Sequence, residues 1–231
     1  MTILPALGIA VTSFMPANDL HTQDFIAKSA QGEAAFHRII DLAEEAYSNT
    51  GEQVIISRKW SESTVNANMM RYNGILYINM FGGLFRRPEV TPEGFAMVVC
   101  HEFGHAYGGY PYLREKLQIS AEGQADYYAA NECFGYVMTK WSESIESRRM
   151  HSVYIEEKCE SDLWCKMSLK AGLSLGNLLG TLMRESVSYE TPDRSRVRKT
   201  ALSYPKTAQC RLDTYAAGTL GEPRPACWFK D

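Results

Sequence analysis

Two histidines and a glutamate stand directly after an apolar run, in the stretch VVCHEFGHAYGGY at residues 98–110. His101, Glu102 and His105 form the pattern H-E-x-x-H. On a helix, residues four apart share a face, so both imidazoles could reach one metal ion. Glu102 would lie beside the open coordination position, where a carboxylate can take a proton from water. The pattern predicts a metal site with a general base. The alternative is a pair of hydrogen-bonded core histidines.

A third ligand has to come from elsewhere, because catalytic zinc is held by three protein groups and keeps a fourth position open. The stretch SAEGQAD places Glu122 and Asp126 four residues apart on a predicted helix. One carboxylate could bind metal, and the other could accept a hydrogen bond from a ligand histidine and fix its tautomer. The alternatives are a first-turn glutamate that favours the helix dipole and an ordinary surface aspartate.

The elements before the motif are predicted to be one helix and a small sheet. Apolar residues recur at helical spacing over 21–48, which predicts an amphipathic helix. Residues 53–60 have the β-branched content of a strand. Asn73-Gly74 separates two strand-like runs, the strongest short hairpin signal.

Two helices are predicted to carry the candidate ligands. Thr91-Pro92 supplies an N-cap and a first helical residue for the first of them, and Gly108-Gly109 a C-terminal stop. Ser120 is the predicted N-cap of the second helix.

The rest of the chain reads as further helices and a loop-rich tail. Helical patterns continue to about residue 184 with an interruption near 159–165, and residues 186–231 read as loops with a short helix. The order of helix, sheet and helices predicts an α+β fold. A length of 231 residues suits one domain, 1–231, with the candidate core at 60–135 and the tail 186–231 packing on it.

Charge and hydropathy exclude some classes of protein. The net charge of −3 is not that of a basic protein, so the sequence disfavours a nucleic-acid-binding protein. No apolar run approaches the roughly 20 residues of a membrane span. The apolar N-terminus has no Lys or Arg before Lys28 and is interrupted by Pro5, which favours a buried N-terminal arm over a secretory signal.

The six cysteines favour disulfides and an oxidising compartment. Cys159–Cys165 and Cys210–Cys227 each bracket a short segment and are candidate local pairs. The alternative is that some cysteines are buried free thiols, and Cys100, at the end of the apolar run, is the best candidate for that role. The expected location is secreted, periplasmic or in the cell envelope, with the cytoplasm as the alternative.

HEFGH followed by EGQAD resembles the gluzincin zinc peptidases, and within them the group of the HtpX heat-shock protease and the CAAX prenyl endopeptidase. The resemblance implies that Glu122 is the third zinc ligand and that Asp126 supports a histidine. It also implies a mainly helical, zincin-like domain with a small antiparallel sheet.

The stretch VNANMMRYNGILYINMFGGLF at residues 65–85 resembles the pattern before the catalytic helix of that group. The resemblance implies that the strand near ILYINM aligns an extended peptide substrate by β-augmentation. It covers residues 60–135 well and the tail weakly.

The tail departs from the group, which often has His-Pro followed by an arginine. Here Tyr204-Pro205 is followed by Arg211. Tyr204 and Arg211 are candidate donors to a developing oxyanion. Arg211 could instead pair with a carboxylate. His151 is another candidate donor, with a surface histidine as the alternative.

The resulting hypothesis is a zinc-dependent metalloendopeptidase that acts on a peptide or protein substrate. His101, His105 and Glu122 would hold zinc, and Glu102 would be the general base. Two alternatives share this fold. One is a zinc-binding protein that no longer cleaves, and the other is a latent protease whose cleft is filled by a loop or by the tail.

Overall fold

The computed structural model describes residues 11–20, 30–141 and 152–231, and it has an α+β fold. The strands are β1 (Val11–Ser13), β2 (Gln53–Lys59), β3 (Ala67–Tyr72), β4 (Ile75–Phe81), β5 (Tyr112–Arg114) and β6 (Ile119–Ser120). The helices are α1 (Ala30–Ala46), α2 (Gly82–Phe85), α3 (Pro92–Tyr107), α4 (Glu122–Tyr128), α5 (Phe134–Met138), α6 (Val153–Cys159), α7 (Leu163–Met183) and α8 (Ala208–Leu220). A π-helical segment, Ala129–Cys133, joins α4 to α5.

The main sheet is mixed, with the strand order β1-β3-β4-β2. β3 pairs antiparallel with β1 and with β4, and β4 turns back at the predicted Asn73-Gly74 hairpin. β4 enters the space between β3 and β2 and runs parallel to β2. The expectation of an antiparallel sheet is therefore wrong. The strand with the sequence ILYINM has a neighbour on both sides, so it offers no free edge to a peptide and the expectation that it aligns substrate is also wrong.

Helix α3 begins and ends where the sequence predicts. The Thr91 hydroxyl accepts a hydrogen bond from the Gly94 amide at 3.0 Å, and Pro92 occupies the first helical position. The helix ends at Tyr107, followed by Gly108 and by Gly109 with a φ of 76°. Every α3 residue from 94 to 106 is buried, so the helix runs through the core with the candidate ligands inside it.

The predicted N-cap of the second helix is wrong. Ala121 is in the N-cap position of α4 and provides no side-chain cap. Ser120 belongs to β6, and its hydroxyl donates to the Gly109 carbonyl at 2.8 Å. This hydrogen bond links the segment that follows α3 to the segment that precedes α4.

The other predicted elements fall close to their expected positions. The strand predicted at 53–60 is β2, and the helical interruption near 159–165 is the junction of α6 and α7. The short helix predicted in the tail is α8. Of the helix predicted at 21–48, residues 21–29 lie outside the described residues, as does the candidate donor His151.

All six cysteines form disulfides. The predicted pairs Cys159–Cys165 and Cys210–Cys227 are confirmed. The alternative of a free Cys100 is wrong, because Cys100 is bonded to Cys133. Cys100 faces the π-helical segment that continues α4, so this disulfide joins the two helices that carry the candidate ligands.

The arm at residues 11–20 packs on the sheet and the helices. Phe14 and Met15 have no exposed surface and belong to the main core. Within the described residues, no helix is both long and apolar enough to cross a membrane.

Candidate metal centre

Three side chains from α3 and α4 converge in the core. His101 and His105 lie one helical turn apart, with ring centroids at 4.6 Å, and both are fully buried. Glu122, at the start of α4, faces both of them. The distance from His101 Nε2 to Glu122 Oε2 is 3.4 Å, and that from His105 Nε2 to Glu122 Oε1 is 3.5 Å.

This geometry suits a tetrahedral metal ion. His101, His105 and Glu122 each offer one ligand atom, and these three atoms lie within 4.8 Å of one another. That spacing allows all three to bind one ion at zinc bond lengths of about 2.0–2.2 Å after small adjustments of the side chains. His101 Nε2, His105 Nε2 and Glu122 Oε2 are buried and make no good hydrogen bond within the described residues. Buried polar atoms without a partner are costly, and a shared cation would satisfy all three. The fit supports a site for a divalent metal such as zinc.

Each histidine is oriented from its other ring nitrogen. His105 Nδ1 lies 2.9 Å from the Ser120 carbonyl oxygen, which can only accept a hydrogen bond. His101 Nδ1 lies 2.8 Å from Asp126 Oδ1. Both Nδ1 atoms therefore donate, and in the neutral tautomer each Nε2 presents a lone pair to a metal.

Asp126 is the centre of a buried charged network. Arg211 donates to it from Nε and Nη2, each at 2.7 Å, and the Tyr215 hydroxyl donates to Oδ1 at 2.6 Å. Burial would raise the pKa of Asp126, but the Arg211 charge outweighs it and holds the pKa below its ordinary value. Asp126 therefore stays ionised and can hold His101 in place.

Glu102 lies next to this group and has the properties of a proton carrier. Both of its carboxylate oxygens are buried and make no hydrogen bond within the described residues. Burial raises the pKa of Glu102 to about 8, against the opposing influence of His101. A carboxyl group with a pKa near neutrality can both accept and return a proton.

The two histidines have opposite pKa shifts. Burial lowers the pKa of His105 to about 4. Burial also acts to lower that of His101, but the negative charges of Asp126 and Glu122 outweigh it and raise the pKa to about 9. A metal ion bound by this group would have to displace a proton from His101, and its binding would then depend on pH.

The tail candidates Tyr204 and Arg211 both bind the N-terminal arm. The Tyr204 hydroxyl donates to the Ser13 carbonyl at 2.7 Å. Arg211 Nη1 donates to the Phe14 carbonyl at 2.6 Å, in addition to its pair with Asp126. The carboxylate pairing that the sequence allows for Arg211 is thus present, and both donors are bonded to main-chain carbonyls of the arm.

Sequence reasoning missed three contributors to this site. They are the Ser120 carbonyl, the Tyr215 hydroxyl and the Phe14 ring, whose centroid lies 5.2 Å from that of His101. Tyr215 lies one turn after Arg211 on α8, so a helical projection could have found it. The other two depend on tertiary contacts that leave no pattern in the sequence.

No protein-family model matches the chain, and no curated protein or solved structure matches it significantly. The resemblance to the gluzincin peptidases stays a prediction.

Proposed function

We propose that this chain is a zinc-dependent metalloendopeptidase of the gluzincin type. His101, His105 and Glu122 hold the zinc, and Glu102 is the general base. The observation that carries the proposal is the convergence of three buried ligand groups at 3.4 and 3.5 Å, directly beside a buried carboxylate. His101 Nε2, His105 Nε2 and Glu122 Oε2 make no hydrogen bond within the described residues, and a shared cation would satisfy all three.

When bound, zinc lowers the pKa of a water molecule and polarises a carbonyl oxygen. Glu102 takes the proton from the attacking water and delivers it to the leaving amine of the cleaved peptide bond. Asp126 and the Ser120 carbonyl keep the two imidazoles in the orientation and tautomer that metal binding requires.

The alternative is a catalytically silent or latent zinc-binding protein of the same fold. Two observations favour it over an open enzyme. His101, Glu102 and His105 have no exposed surface, and the donors Tyr204 and Arg211 are bonded to the chain itself.

We place the protein in a secreted, periplasmic or cell-envelope location. Three disulfides support this location, because such bonds persist in oxidising compartments and are rare in the cytosol. Cytoplasmic residence is the alternative, and cysteines found reduced in protein from its native source would favour it.

The test is zinc content together with zinc-dependent cleavage of a denatured protein. We expect about one zinc per chain, with three protein ligands. Glu102→Gln should keep the zinc and lose at least about 100-fold in cleavage rate, the scale of a general base. Zinc bound without cleavage in the wild type would support the silent or latent alternative. A wild-type protein that takes up no zinc would overturn the proposal.

A further inference from the structure

We propose that Val11–Met15, the inhibitory segment, occupies the peptide-binding groove beside the metal centre and holds the protein in a closed state. The proposal rests on the proposed function, and it names both the groove and its occupant. The groove is the outer edge of β3 together with the side chains of Asn66, Tyr204 and Arg211.

The inhibitory segment binds as an added strand. Val11, Thr12 and Ser13 pair antiparallel with the outer edge of β3, and the Phe14 amide donates to the Ala67 carbonyl at 3.0 Å. An exposed sheet edge is a general docking site for extended peptides, since main-chain hydrogen bonds require no particular side chain. β3 would present such an edge if the segment left.

Asn66 extends this pairing beyond the strand. Its Oδ1 accepts from the Met15 amide and its Nδ2 donates to the Met15 carbonyl, both at 3.0 Å. One side chain thus binds both main-chain groups of a single residue. Such recognition would hold any extended peptide in this register.

The far side of the segment is bound by the two donors from the tail. Tyr204 and Arg211 bind the consecutive carbonyls of Ser13 and Phe14. Amide carbonyls are the groups that a protease must bind in a substrate. Both donors are bonded to main-chain carbonyls of the inhibitory segment. They are therefore not available to a substrate peptide while the segment is bound.

Phe14 places the segment directly beside the metal ligands. Its ring packs edge-on against His101 with centroids 5.2 Å apart, and the Arg211 guanidinium lies 4.7 Å from the ring centroid. Phe14, His101 and Glu102 are all fully buried. A peptide can reach Glu102 along β3 only when the segment has moved.

The first experiment separates the segment from the rest after folding. A recognition sequence for a specific protease is inserted between Leu20 and His21, so the whole chain folds before it is cut. Two properties are compared in the cut and uncut zinc-loaded proteins, namely the rate at which a coloured chelator extracts zinc and the rate of peptide cleavage. We expect both to rise at least tenfold after cutting. A synthetic Val11–Pro16 peptide should reverse the rise, and the same peptide with alanine in place of Phe14 should not.

The second experiment leaves the chain intact, because the cut arm could stay bound. Asn66→Ala removes both contacts to Met15. Asn68→Ala is the matched control, since the Asn68 amide oxygen accepts from Asn79 Nδ2 at 2.8 Å within the sheet. We expect zinc extraction and hydrogen exchange of β3 amides to be about tenfold faster in Asn66→Ala than in Asn68→Ala. Loss of the two hydrogen bonds to Met15 weakens binding of the inhibitory segment and shifts the population towards the open form.

Equal extraction and equal exchange in the two asparagine variants would overturn the proposal. So would cut protein that has lost the arm and kept its zinc but extracts and cleaves like the uncut chain. Failure of the proposed function would look different. The protein would bind no zinc, or would release its segment and open to the chelator without cleaving any peptide.

Discussion

Gly104 and Ala125 are in closer contact than any other residue type at position 104 would allow. A Cβ placed on Gly104 would lie 2.6 Å from the Ala125 carbonyl oxygen and 2.8 Å from its Cα atom. These are backbone atoms of α4, so they cannot move aside like a flexible side chain. The missing Cβ lets α4 approach α3 until Glu122 reaches the two histidines.

Gly104→Ala should therefore weaken metal binding. Alanine is the better helix former by about 1 kcal/mol, but the overpacked contact should cost about 1–3 kcal/mol. We expect zinc affinity to fall at least about tenfold, because α4 is pushed away from α3 and the tetrahedral geometry is lost. Competition with a chelator measures the affinity, and urea unfolding measures the stability.

Gly135→Ala is the control for that substitution. Gly135 lies in helix α5, and a Cβ there would meet nothing within 4 Å. Alanine should leave zinc affinity unchanged and stabilise the protein slightly. Unchanged zinc affinity in Gly104→Ala would show that the contact between the helices does not set the ligand geometry.

Local patterns identified the helices of the site because one turn of helix fixes which residues share a face. The i, i+4 spacing of His101 and His105, and of Glu122 and Asp126, depends only on helical geometry. The Thr91 cap and the Asn73-Gly74 turn are similarly local. These features involve residues close in sequence, so a single chain can reveal them.

Features that depend on long-range packing leave no local pattern in the sequence. Whether Cys100 is free depends on where Cys133 lies after folding, and the order of the strands depends on β4 entering beside β2. The pairing of the arm with β3 joins residues more than 50 positions apart. Ser120 has the residue type of an N-cap, but its hydroxyl is used by a tertiary hydrogen bond to the Gly109 carbonyl.

Glu122→Ala should abolish tight zinc binding. Removing one of three protein ligands leaves the two histidines, which is fewer than catalytic zinc sites use. We expect the variant to purify with much less than one zinc per chain, as measured by elemental analysis. Glu132→Ala is the control, because Glu132 is an exposed glutamate on the continuation of the same helix. Zinc retained equally in both variants would remove Glu122 from the ligand set.

Zinc binding should release protons at neutral pH. The pKa of His101 is raised to about 9, so this histidine carries a proton at pH 7 that the metal must displace. Binding should therefore release at least one proton at pH 7, and affinity should strengthen about tenfold per pH unit as pH rises towards 9. Calorimetry in buffers of different ionisation enthalpy measures the release. Affinity that does not change between pH 6 and 8 would contradict the assignment of His101 as a ligand.

Asp126→Asn should destabilise the metal-free protein, because it leaves the Arg211 charge buried without its partner. Breaking a buried ion pair in this way costs about 3–5 kcal/mol. The pKa of Asp126 is held below its ordinary value of 3.8, so its contribution is complete above that pH and is lost as pH falls through the lower folded-state value. The attraction between Asp126 and protonated His101 also stabilises the wild type, fully below pH 6.5 and less as pH rises towards 9. The difference from wild type should therefore be largest between about pH 4 and 6.5 and should shrink on either side.

Tyr215→Phe tests whether the charge of the Asp126 carboxylate, rather than its hydrogen bonds, causes that pH dependence. It removes one hydrogen bond to Asp126 but keeps the ion pair with Arg211. It should cost about 1.5–3 kcal/mol, the range for a hydrogen bond to a charged group. Urea unfolding of the wild type and both variants at three pH values makes the comparison. If the Asp126→Asn deficit stays the same at low pH, the carboxylate charge is not what stabilises the network, and Asp126 acts there only as a hydrogen-bond acceptor.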